Sequence, residues 1–169
     1  LLVSSAASDV YKRQRIFHIG NALSEFINFE WRSYDSPFDE FLMGHEEALN
    51  SKQKKGMELF YGKAQCAQCH QGILFTDQKF HALAIPQFGP GRTRPFDPYV
   101  RDVGRMVETD RLEDAYRFRT PSLRNVAVTA PYGHNGAYAD LEGIIHHHLD
   151  PLKSLENWDP KPVSYTHLT

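Results

Sequence analysis

Apolar positions in the first third of the chain recur at a helical period. Ile16, Ile19, Leu23, Phe26 and Ile27 fall on one helical face, which predicts a helix from about Arg15 to Arg32, ended by Ser36-Pro37. Ser51 is a good N-cap for a second helix, which would bury Met57, Leu59 and Phe60 and relax at Gly62. From Gln71 to Arg101 the pattern is lost. Gly72, Pro86, Gly89, Pro90, Gly91, Pro95 and Pro98 break any long regular element, so this stretch reads as a long loop wrapped on a scaffold. Short helical pieces are expected at Asp102 to Val107 and at Leu112 to Tyr116. Another is expected after Thr120-Pro121, with Thr as cap and Pro at the first helical position. A last helix, Asp140 to Leu149, stops at Asp150-Pro151. The pattern predicts one mostly α domain with long ordered loops and little sheet.

Composition leaves this picture standing. The chain has 169 residues, a net charge of −2, 41% hydrophobic and 24% charged residues, values of an ordinary globular domain. No apolar run is long enough for a membrane-spanning helix, and no block of like charge suggests nucleic acid as a partner. The two ends read differently. Ser4 to Gln14 is the plain translation of a transposon-derived sequencing adapter, and Val163 to Thr169 is what its reverse complement gives in a shifted frame. Residues 1–14 and 163–169 are therefore expected to be adapter scars around a gene fragment, with the authentic domain at 15–162.

The two cysteines of the chain stand in the run Cys66, Ala67, Gln68, Cys69, His70, the attachment signature of c-type haem. Two thiols at this spacing reach the two vinyl groups of one porphyrin, and the adjoining imidazole of His70 turns under the ring to bind iron. A C-x-x-C redox pair would expect a β-α-β setting, which the pattern does not offer. A zinc site would need a second ligand pair at finger spacing.

A sixth iron ligand would come from Met57, Met106, His81, His134, His146, His147 or His148. On the last helix Leu141, Ile144, Ile145 and His148 lie at i, i+3, i+4 and i+7, which puts His148 in the apolar stripe and His146 and His147 off it. An imidazole in such a stripe needs a polar partner. Iron is one such partner, a backbone carbonyl another.

Further motifs add a resemblance. Phe118-Arg119-Thr120-Pro121-Ser122-Leu123-Arg124-Asn125-Val126, then Thr129-Ala130-Pro131-Tyr132-Gly133-His134-Asn135-Gly136, resembles the C-terminal haem domain of bacterial di-haem cytochrome c peroxidases and their MauG relatives. Asp35-Ser36-Pro37-Phe38-Asp39, the haem motif, Gly89-Pro90-Gly91 and Leu141-Glu142 occur in the family's order, from about Ile19 to Pro151.

The resemblance implies a cytochrome c-like fold around one haem c, as the electron-accepting half of a two-haem enzyme. The peroxide-reducing haem domain and its acid-base glutamate would lie upstream of Arg15, so no catalytic residue is assigned within this chain. It also implies that the distal ligand stands fourteen residues past the histidine of the Pro-Tyr-x-His motif; from His134 this leads to His148, where relatives carry Met or Tyr. Imidazole in place of a thioether favours ferric iron and a lower potential. Calcium contacts from the backbone carbonyls of Thr129 and Pro131 are implied as well, oxygen donors being suited to that ion. Arg119 and Arg124 are candidates for haem propionates, because guanidinium matches carboxylate; a plain surface role is the alternative. The implied partners are the missing peroxidatic domain, a small cytochrome c or copper protein as donor, and a second copy of the chain as a homodimer. The implied location is the periplasm. A mono-haem electron-transfer cytochrome c and a MauG-like oxidase are the competing functions.

Overall fold

A computed structural model describes residues 5–30, 32–87 and 101–159. The chain divides into two compact units, Leu1–Asn50 and Ser51–Thr169. Gly89, Pro90, Gly91, Pro95 and Pro98 of the breaker-rich stretch, and the Val163 to Thr169 tail, lie outside the described residues.

In the first unit the expected helix is longer than its apolar stripe. Helix α1 spans Ser5–Glu30, since no proline interrupts the run before it. Its apolar side chains stand open, with Phe29 73% and Ile16 70% exposed. Ser36-Pro37 does more than end this region: it opens α2, Pro37–Leu42, with Pro at its start. Ser36 and Asp39 form a capping box, in which the Asp39 N–H donates to Ser36 Oγ at 3.3 Å and the Ser36 N–H to Asp39 Oδ2 at 3.1 Å. A single 3₁₀ turn, Glu46–Ala48, follows.

The second unit opens with α3, Ser51–Tyr61, as expected. Met57 and Phe60 are half-buried on it, but Leu59 is exposed, because Met57, Phe60 and Ala64 share the packed face and Leu59 lies off it. Past Gly62 the chain turns through Gln65 in the left-handed region (φ 58°) into a 3₁₀ turn at Cys66–Gln68. Strands β1, Phe80–His81, and β2, Phe118–Arg119, pair antiparallel, Phe80 opposite Arg119 and His81 opposite Phe118. This is the one sheet among the described residues.

No helix starts at Thr120-Pro121. Buried Thr120 continues the sheet instead: its N–H donates to Lys79 O at 2.9 Å and its carbonyl accepts Thr76 Oγ1 at 2.7 Å. Its hydroxyl also turns to Lys79 O, at 3.4 Å, rather than to the backbone ahead of it. The only helical turn of that region is the 3₁₀ piece Val126–Val128. The short pieces before it do form, as α4, Met106–Thr109, and a 3₁₀ turn at Leu112–Asp114. Gly104 stands at φ +61° against the backbone of Arg117, and a Cβ there would lie 2.5 Å from Arg117 O.

The core gathers at the C-terminal end. Tyr132 and Tyr138 exchange backbone hydrogen bonds at 2.7 and 3.1 Å and, with Ala137, form a buried cluster. Ile85, Val126, Leu141, Ile144 and Trp158 pack on it. Helix α5, Leu141–Leu149, begins at the Asp140 cap, whose carboxylate accepts the Gly143 N–H at 2.7 Å. Asp150-Pro151 ends α5 and also starts α6, Pro151–Glu156, with Asp150 as its cap. Helix α6 was not expected from the pattern. Helices with one small sheet make this a mostly α, cytochrome c-like domain.

Candidate haem site

The segment Cys66 to His70 is held by its own backbone. The His70 N–H donates to Cys66 O at 2.9 Å and the Asp77 N–H to Cys69 O at 2.8 Å, so the turn presents both half-buried cysteines and the histidine from one short arc. Both cysteines are free thiols. Burial first, then the neighbouring charge of Asp77, pushes the Cys69 thiol up, partly offset by Lys79. A thiol of raised pKa is a poor redox nucleophile, which disfavours a C-x-x-C exchange pair.

Cys69, Asp77 and His81 come within 4.8 Å of one another, a three-donor cluster that spacing did not suggest. Two of its members already satisfy each other, however. His81 Nε2 donates to Asp77 Oδ2 at 2.8 Å, and Asp77 Oδ1 accepts the Lys79 N–H at 2.9 Å. Burial works against the Asp77 charge, but these bonds and one from Thr120 outweigh it and hold the carboxyl well below the usual carboxylate range.

The histidines differ in which nitrogens they have already used. His70 Nδ1 lies 3.0 Å from Phe75 O. A carbonyl can only accept, so Nδ1 carries the proton and Nε2 keeps its lone pair, the tautomer of a metal-ligating histidine with a backbone support. Burial lowers the His70 pKa, opposed by the Phe75 bond, by the charge of Asp77 and by the nearby Pro121 backbone. His148 repeats the arrangement: its Nδ1 donates to Ile144 O at 2.7 Å and Nε2 remains available.

The other histidines are engaged elsewhere. His81 is held by Asp77. His134 stacks on Phe118 with ring centroids 3.5 Å apart, its Nε2 3.8 Å from Asp102, and burial lowers its pKa against the opposing Asp102 charge. His146 is exposed, 3.6 Å from Glu142. His147 is fully buried and committed at both nitrogens, to Tyr138 Oη at 2.8 Å and Leu83 O at 2.6 Å. Met57 and Met106 are half-buried on α3 and α4.

The expected stripe on α5 is therefore corrected. His147, set off the stripe by periodicity, is the buried residue, and His148 is exposed. The helix packs along Leu141, Ile144 and His147, in steps of three. Three consecutive histidines offer no sequence contrast by which to choose between neighbouring faces. A histidine sunk in the polypeptide core has no nitrogen left for iron, whereas His148 does. The donor set of two thiols and two imidazoles, each holding a backbone carbonyl through Nδ1, fits a c-type haem.

The remaining candidates surround this set. Arg119 on β2 donates to the Gln78 side chain, and Arg124 donates through Nε to Ile73 O at 2.8 Å with its guanidinium 5.1 Å from the Phe75 ring centroid. Arg124 thus lies against the same residue that supports His70. Thr129 and Pro131 are exposed on either side of Ala130, which is joined to Pro131 by a cis peptide bond.

Known proteins bear on this geometry. Cytochrome c peroxidase Ccp of Escherichia coli K12 is 42% identical over 112 residues, 66% of this chain and 23% of that protein. The methylamine utilization protein MauG of Methylorubrum extorquens is 35% identical over 135 residues, 78% of this chain and 34% of that protein. The crystal structure of a MauG-like protein associated with microbial copper homeostasis superposes with a TM-score of 0.56 at 34% identity, over 68% of this chain and 37% of that one. The chain belongs to the di-haem cytochrome c peroxidase and MauG family.

Membership makes it part of an oxidoreductase family that uses haem c. No family model matches the chain. The chain spans about a third or less of the length of these di-haem relatives.

Proposed function

We propose that this chain is the electron-transfer haem domain of a di-haem cytochrome c peroxidase, the C-terminal half of the whole protein. Haem c is held by thioether bonds to Cys66 and Cys69, with His70 as proximal and His148 as distal iron ligand. The observation that carries this is the matched state of the two imidazoles. Each spends Nδ1 on a backbone carbonyl and leaves Nε2 for a ligand bond.

The bound group supplies a one-electron couple. The protein fixes the tautomers of His70 and His148 through their Nδ1 bonds, and two imidazole ligands would give the bound group a low potential. Such a domain relays electrons singly from a small cytochrome c or copper protein to the peroxide-reducing haem of the partner domain. Arg124 and Arg119 are assigned to the propionate edge. Thr129 and Pro131 carbonyls are assigned to a calcium ion shared with the other domain. Residues 15–162 are assigned to the domain proper and both ends to adapter sequence. Haem attachment of this type supports a periplasmic location. A second reading, a MauG-like oxidase, is compatible with the match to MauG over 78% of this chain.

The test is electron paramagnetic resonance with near-infrared spectroscopy of the ferric protein, full chain, matured with haem. Wild type should be low-spin bis-histidine, His148→Met should show the thioether charge-transfer band, and His148→Ala should turn high-spin. Spectra unchanged by both substitutions would return His81, His134 and Met106 as ligands.

A further inference from the structure

The assignment of His148 leaves its neighbour unexplained. His147 is the largest fully buried side chain among the described residues. Its Nε2 faces the Leu83 carbonyl at 2.6 Å and must donate, so its Nδ1 accepts from Tyr138 Oη at 2.8 Å. With its proton so spent, Tyr138 Oη accepts from Ser154 Oγ of α6 at 3.1 Å. One ring thus joins α5 to the segment after β1, to the core tyrosine and, through it, to α6.

Helix α5 needs such a grip. It has nine residues; Leu141 and Ile144 pack on the core, but Ile145 and Leu149 are 54% and 63% exposed, so apolar packing grips it along one narrow face only. The ring of the next residue projects about 100° further round the helix. An Nε2 roughly 7 Å from the helix axis moves roughly 1 Å for a 10° rotation, beyond the roughly 0.5 Å tolerance of a ligand constellation.

We propose that His147 is the positioning residue of the distal ligand: clamped between Leu83 O and Tyr138 Oη, it sets the rotation of α5 and so aims His148 at the iron. The proposal rests on the His148 reading above. It gives the middle residue of the His146-His147-His148 run a role that iron ligation does not.

The experiment uses the full haem-loaded chain with five variants: His147→Leu, His147→Gln, Tyr138→Phe, Trp158→Phe and His148→Ala. Trp158→Phe removes the bond from Trp158 Nε1 to Ala137 O (2.9 Å) and so loosens the same core without touching the clamp. His147→Leu should add a high-spin fraction to the ferric spectrum and speed cyanide binding about tenfold or more, the usual scale for losing support behind a metal ligand. Tyr138→Phe should act in the same direction more weakly. His147→Gln, which can still donate to Leu83 O, should recover most of the low-spin signal. Trp158→Phe should melt earlier with wild-type spectrum and cyanide rate.

If His148→Ala changes the spectrum while His147→Leu and Tyr138→Phe do not, the proposal is overturned and the His148 reading stands. A spectrum unmoved by His148→Ala removes both. Should His147→Leu fail to mature, Tyr138→Phe and His147→Gln decide by the same criteria. A spectral change of equal size in Trp158→Phe would assign the effect to general loosening and also overturn the proposal.

Discussion

Removing the hydroxyl of Tyr138 tests the core network by stability alone. Tyr138 is 7% exposed, and its Oη serves two partners, His147 Nδ1 at 2.8 Å and Ser154 Oγ at 3.1 Å. In Tyr138→Phe the ring packing survives, but His147 Nδ1 stays buried with no donor. Half-buried Ser154 has an alternative in water. Leaving one buried acceptor unpaired costs about 1–3 kcal/mol, and a central value of about 2 kcal/mol is expected here. For a unit of this size each kcal/mol moves the melting temperature by about 3–5 °C, so the variant should melt roughly 6–10 °C below wild type. Tyr132→Phe is the comparison. Tyr132 Oη donates to Val126 O at 2.7 Å, but that carbonyl also accepts the Thr129 N–H at 3.4 Å, so the loss should be about 1 kcal/mol. The assay is thermal unfolding of the haem-loaded protein followed by far-ultraviolet circular dichroism. Equal shifts in both variants, or a Tyr138→Phe shift under about 2 °C, would refute the view that His147 depends on this hydroxyl.

Other outcomes follow from single sites. Gly104→Ala combines left-handed strain with a Cβ 2.5 Å from Arg117 O, and should cost about 2–4 kcal/mol in denaturant titration. Ser36→Ala removes the α2 capping box and should cost about 1 kcal/mol, read as loss of hydrogen-exchange protection in Pro37–Leu42. Burial depresses the pKa of His134, so the unfolded state takes up its proton first on acidification. The stability this residue contributes is present above about pH 6.5 and is lost as pH falls from there towards its folded value. His134→Gln should accordingly show a smaller drop in urea midpoint between about pH 7.5 and pH 5 than wild type. His148→Met should raise the midpoint potential in redox titration, because thioether stabilises ferrous iron.

The candidate haem motif was legible in the sequence because it is local. Cys66, Cys69 and His70 lie within one turn, and their chemistry depends on spacing rather than on folding. The order of helices was legible for the same reason: the Ser51 start and the Asp140 cap act over a few residues. Tertiary structure decided what depends on distant partners. Thr120 reads locally as a helix cap, yet pairing with Lys79, some forty residues away in the chain, makes it a strand extension. The cluster of Cys69, Asp77 and His81 forms because the turn after the haem motif brings β1 back on it. The assignment of roles among His146, His147 and His148 could not come from periodicity, since neighbouring residues on a short helix differ by only 100°. Leu83 O and Tyr138 Oη made that choice, by taking both nitrogens of one ring and leaving Nε2 of the next available.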